Sequence, residues 1–155
     1  MVGTWDELID SDYELSELLE RVVLDARSLK EWLRDYLEAH GLTKSKVVRE
    51  SRLNQTFAYQ IMAGTRRASR DKLIQLAFGM HMNVAATNDM LERAELSALR
   101  TSCARDIVIA YCLHHQYNLS TCDDMLWRRG MSTLEQLKEG VGRTSRRTFY
   151  ARPGA

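Results

Sequence analysis

Apolar residues recur along this chain in steps of three and four. From Tyr13 the series Leu15, Leu18, Leu19, Val22, Val23 continues as Leu29, Trp32, Leu33, Tyr36, Leu37, the pattern of amphipathic helices laid on a core. His40-Gly41 stops the run, because glycine tolerates the left-handed backbone that ends helices. Thr43 then caps a short helix over 44–51 with Val47 and Val48 inward, and Asn54 caps another over 55–63 with Ala58 and Ile61 inward, ended by Gly64. Ser69 opens the next helix, with Asp71 in its first turn where a carboxylate favours the dipole, and Leu73, Leu76, Ala77 and Met80 line it. Proline is absent until Pro153. The expected fold is all-α, of seven or eight helices.

An internal repeat extends the pattern. Residues 70–99 set against residues 105–134, at an offset of 35, coincide at ten positions: Arg70/Arg105, Asp71/Asp106, Ile74/Ile109, Asn83/Asn118, Asp89/Asp124, Met90/Met125, Leu91/Leu126, Arg93/Arg128, Ser97/Ser132 and Leu99/Leu134. Each copy reads as Arg-Asp, a helix, an Asn that caps a second helix, then Met-Leu near its end, a period that suits a two-helix unit. The repeat decides one ambiguity. Ile107 to Leu113 is the longest apolar run and reads as a strand on propensity, but its repeat partner is helical, so a buried helix is expected.

Charge divides the chain although the net charge is only +1. Residues 1–20 carry seven acids and no base; residues 41–72 carry Lys44, Lys46, Arg49, Arg52, Arg66, Arg67, Arg70 and Lys72 against Glu50 and Asp71. A basic block within a neutral chain suits either a polyanion or a solvated face. Seven residues of apolar run cannot span a bilayer. Residues 1–6 lack the basic-then-apolar pattern of a secretory signal, so a cytoplasmic location is expected. Three cysteines without a Cys-x-x-Cys pair fit packed thiols in a reducing compartment.

The stretch GLTKSKVVRESRLNQTFAYQIMAGTRRASRDKLIQLAFGM, within residues 29–91, resembles the Cro/repressor (XRE-type) helix-turn-helix family. The matching positions are Val47 and Val48 on the first helix, Leu53 in the turn, Asn54 capping the recognition helix, Ala58 and Ile61 on its inner face, and Gly64 ending it. Where the family usually has Ala and then a branched residue, Val48 and Ala58 exchange large for small and conserve volume. Arg52 stands where the family often has glycine, which predicts either a strained residue or an altered turn.

The resemblance implies a lambda-repressor-like core that places the helix at 54–63 in a DNA major groove as a sequence-specific transcription regulator. Carried over position by position, Gln55, Thr56, Tyr59 and Gln60 stand where family members contact bases, and Lys44, Lys46, Arg66, Arg67 and Arg70 flank them as phosphate contacts. Phe57, apolar and near the exposed side, is expected to pack on the N-terminal extension.

Four segments follow: an acidic helical segment (1–28), the DNA-binding domain (29–99), a helical hairpin repeating 70–99 (100–137), and a basic tail (138–155) with Arg143, Arg146, Arg147 and Arg152. A homodimer is expected, with the hairpin as its candidate surface. The competing reading is a protein-interaction adaptor or antitoxin-like partner that uses the acidic arm or the hairpin. No catalytic residue, cofactor or metal is expected. No nucleophile triad or phosphate loop appears, His114 and His115 are adjacent rather than four apart, and Cys103, Cys112 and Cys122 fall on or beside inner faces.

Overall fold

The computed structural model describes residues 14–21 and 25–136, and these form eight helices and no strand. They are α1 (Leu15–Arg21), α2 (Leu29–Ala39), α3 (Lys44–Ser51), α4 (Gln55–Met62), α5 (Arg70–Gly79), α6 (Val84–Arg93), α7 (Ala104–His114) and α8 (Leu119–Arg128). The chain is all-α over this range, and the Ile107 to Leu113 run is helical. No described helix is long and apolar enough to cross a membrane. The expected stripe at Val22 and Val23, the first thirteen residues and the basic tail lie outside the described residues.

Local chemistry sets the helix starts. Ser28, Thr43, Asn54, Ser69, Asn83 and Asn118 each accept a hydrogen bond from the backbone N–H three residues on, which satisfies one of the donors a helix leaves open. A single turn design joins three helix pairs. Leu42 N donates to Leu37 O at 2.9 Å, Met82 N to Ala77 O at 3.0 Å and Tyr117 N to Cys112 O at 2.9 Å. The left-handed residue is Gly41, His81 and Gln116 respectively, as in a Schellman ending. Sequence matching found the second and third copies; the first shares their backbone but not their side chains.

α5 is the central helix. Residues 73–80 are all buried, because α3, α6 and α8 pack around it, while α4 packs on α2 and α3. Gly79 sets the closest approach: a Cβ there would lie 2.5 Å from Val47 O and 2.9 Å from Ser51 Cβ. Gln75, buried on the same helix, donates from Nε2 to Ser51 O at 3.1 Å, and so satisfies a carbonyl that the end of α3 leaves without a helical partner.

The two repeats are locked by exchange. Arg70 reaches Asp106 through Nη1 and Nη2 at 3.0 and 2.9 Å and donates to Ser97 O and Ala98 O. Arg105 reaches Asp71 at 3.0 and 3.1 Å and donates to Ser132 O and Thr133 O. Each Arg-Asp pair thus serves its partner copy. Below them, Asn88 Oδ1 accepts from Leu99 N and Asp123 Oδ1 from Leu134 N, again 35 residues apart. Arg70 therefore leaves the phosphate-contacting set: four of its five N–H donors go to a carboxylate and two carbonyls, and it holds the hairpin to the rest of the chain.

Asp106 is 3% exposed. Burial raises its pKa, but the Arg70 guanidinium and the Arg100 N–H outweigh this, so the carboxyl sits below its usual range. A depressed folded-state pKa contributes stability that is present above the unfolded value of about 3.9 and is lost as pH falls through the folded one. Replacing Asp106 with Asn should therefore flatten the acid limb of the stability curve measured by urea unfolding between about pH 5 and pH 2. An unchanged limb would place the acid-sensitive group elsewhere.

Candidate nucleic-acid interface

α3 and α4 are joined by three residues, Arg52, Leu53 and Asn54, each with a separate task. Arg52 adopts φ 58 and ψ 18, a left-handed backbone that glycine adopts more readily than arginine. Leu53 is buried in the core. Asn54 Oδ1 caps α4 by accepting from Phe57 N at 3.1 Å. Buried Ser51 tightens the corner, donating to Val48 O at 2.8 Å and accepting from Leu53 N at 3.3 Å. Val48 and Ala58 are both buried.

Gln55 and Thr56 are exposed on the first turn of α4, and Tyr59 and Gln60 are half-buried one turn further on. Spacings of one, four and five residues keep the four on adjoining parts of one helix surface. None is charged. Gly64, with φ +78, ends the helix and brings the following loop against α2: a Cβ on it would lie 3.2 Å from Lys30 Cβ. Lys30, Arg66 and Arg67 consequently line one cleft. Lys30 is a cation that sequence reasoning missed, because the contact joining it to residues 64–67 spans more than thirty positions.

The exposed cations divide by what they touch. Arg27, Arg52 and Arg128 pair with carboxylates, as does the half-buried Arg93. Lys44, Lys46, Arg66 and Arg67 are exposed with no carboxylate partner among the described residues, as are Lys30, Arg49, Arg100 and Arg129. Lys44 and Lys46 also occupy the first turn of α3, which has no acid. Positive charge there opposes the helix dipole by about 0.3–1 kcal/mol each at low salt, a local conflict of the kind found at functional sites.

The expected seat of the N-terminal extension on Phe57 falls largely outside the described residues. Phe57 is half-buried against the core, and the Arg66 guanidinium lies over its ring at 5.1 Å from the centroid. The ring sets the place of Arg66 by a cation–π contact. Arg52 is also more than a turn residue: its Nε donates to Glu135 Oε2 at 2.6 Å and its Nη1 to Ser120 Oγ at 3.1 Å. The C-terminal hairpin thereby braces the turn between α3 and α4, a link that no local pattern announces.

Other candidate chemistry disperses. No cluster of metal-binding side chains occurs among the described residues. Cys112 on α7 and Cys122 on α8 are both fully buried, and Cys112 Sγ donates to Met125 Sδ at 3.6 Å. The neighbouring Cys112 thiol and burial push the Cys122 thiol well up, which keeps it protonated and unreactive. Cys103 precedes α7, half-buried. A scan against protein families and searches of characterised proteins and of solved structures find no match to this chain.

Proposed function

We propose that this chain binds double-stranded DNA with sequence preference, α4 entering the major groove, as a regulator of transcription. The carrying observation is the division of labour around α4. An uncharged polar surface (Gln55, Thr56, Tyr59, Gln60) stands between cations that no described carboxylate neutralises (Lys44, Lys46, Arg66, Arg67), with Lys30 beside the last two. A helix fits the major groove with its first residues at the base edges; glutamine there can pair in two places with adenine, and thymine offers a methyl to Thr and Tyr. Cations flanking such a helix serve register and affinity on any sequence. The two-helix corner with its left-handed third member, which resembles the Cro/repressor family, supports the same reading. A single α4 covers few base pairs, so the active species in this reading is a dimer on two half-sites about one helical turn apart.

Selection of bound sequences from a random duplex library at about 150 mM salt should give a two-fold symmetric consensus. Gln55→Ala with Gln60→Ala should blur that consensus, at about 1–3 kcal/mol of lost discrimination per base pair read. Arg66→Ala with Arg67→Ala should weaken binding to all sequences alike and reduce the salt slope by about 2. No enrichment, with the arginine variant indistinguishable from the unaltered chain, would transfer the proposal to the adaptor reading. One observation favours that reading: the uncovered aromatic surface of α7.

A further inference from the structure

One cleft among the described residues combines positive charge with an apolar floor. It lies between the start of α2, the loop after α4 and the residues that follow α6, and measures about 670 Å³, inside the range of roughly 300–1,000 Å³ of small-molecule sites. Its cations are Lys30, Arg66 and Arg67, and no described carboxylate is among the residues that line it. All three are exposed, with no carboxylate partner among the described residues. Two of them are held in place. The Lys30 stem lies against Gly64, its Cβ 3.2 Å from where a glycine Cβ would stand, and the Arg66 guanidinium rests over the Phe57 ring. α2 also begins at this cleft, so the positive end of its dipole adds to the field of the three side chains.

The floor narrows the choice of ligand. Leu29, Ala68, Ala94 and Leu96 line it half-buried, and the core residues Ile61 and Leu73 line it as well. A DNA phosphate accounts for the cations, because surface cations hold a nucleic-acid backbone of any sequence. It leaves the apolar floor in water, where a ligand with an apolar body gains by covering it. A neutral apolar molecule has the opposite defect, since it leaves three cations without a counter-charge. Charge and floor together select an acidic head group carried on an acyl or aromatic body, the head group meeting Lys and Arg donors in charge-assisted hydrogen bonds.

We propose that this cleft binds a small organic anion with an apolar body, and that the bound anion competes with DNA for Arg66 and Arg67. The competition rests on the DNA-binding reading; the site does not, so binding is measured first without DNA. Octanoate and 2-naphthoate are the probes, with 1-octanol and inorganic phosphate at matched ionic strength as the counterparts that lack the charge or the apolar body. At least one probe should raise the melting temperature of the full chain saturably, and neither counterpart should. Lys30→Glu with Arg67→Glu should weaken probe binding by about tenfold or more. Ala94→Leu, which fills part of the floor, should also weaken it while leaving DNA affinity unchanged, and its melt without probe checks its fold. With a probe at about ten times its dissociation constant, DNA affinity should fall about tenfold. Binding of neither probe, an equal response to octanol or phosphate, or probe binding indifferent to the charge reversal would each overturn the site. So would binding that is lost instead in Tyr111→Asp, a change on the exposed surface of α7. A probe bound in the cleft with DNA affinity unmoved would overturn the competition, and absence of sequence preference in the DNA selection would overturn the DNA reading alone.

Discussion

Arg70→Ala should lower the stability of the chain by about 3–5 kcal/mol, a large part of the 5–15 kcal/mol of an ordinary domain. The reason is the residue left behind. Asp106 has 4% of its side chain exposed, and without the guanidinium it keeps only the Arg100 N–H, at 3.0 Å, to offset burial of its charge. Removing both partners should restore part of the loss, because the double variant leaves no buried carboxylate; a double-mutant cycle in urea measures that coupling. The repeat supplies an internal control. Asp71 has 28% of its side chain exposed, so water can solvate it after Arg105→Ala, and the loss there should be clearly smaller. The same variant separates two roles for Arg70. A stable Arg70→Ala protein that bound DNA less tightly, with a shallower salt slope, would return Arg70 to the phosphate contacts and sink the repeat lock as its purpose.

Gly79→Ala should destabilise the chain by about 1–3 kcal/mol, against the sign expected from helix propensity. Alanine in a helix is favoured over glycine by up to about 1 kcal/mol. Here the added Cβ would meet Val47 O at 2.5 Å and Ser51 N at 3.0 Å, backbone atoms that no side-chain rotation can clear. α3 would have to move off α5, stretching the bond from Gln75 to Ser51 O and tilting the turn that carries α4. The melt should therefore fall and DNA selectivity weaken together. A Gly79→Ala protein more stable than its parent would mean that the two helices do not approach so closely.

Much of the fold is legible along the chain because its signals are local. The caps at Thr43, Asn54, Ser69, Asn83 and Asn118 need only a side chain and an N–H three residues away, and they place α3 at 44–51 and α4 one residue shorter than the periodicity suggests. The repeat is legible for the same reason, and it was enough to decide between strand and helix for Ile107 to Leu113. The base-facing candidates on α4 follow from the register of one helix after its cap.

What stayed hidden depends on partners far apart in sequence. The Arg70 in a basic cluster looks like its neighbours Arg66 and Arg67, yet Asp106, 36 positions on, neutralises it. Lys30 joins Arg66 and Arg67 only because Gly64 lets α2 come close. Phe57 carries the Arg66 guanidinium over its ring, and Arg52, left-handed in backbone, meets a carboxylate 83 positions away. By itself the sequence determined where helices begin, end and turn an apolar face, since those choices are made within a turn or two of the backbone. Which charged side chains neutralise one another, and which are left for an outside partner, only the tertiary structure decided, because packing brings distant residues into contact and local periodicity carries no information about who meets whom.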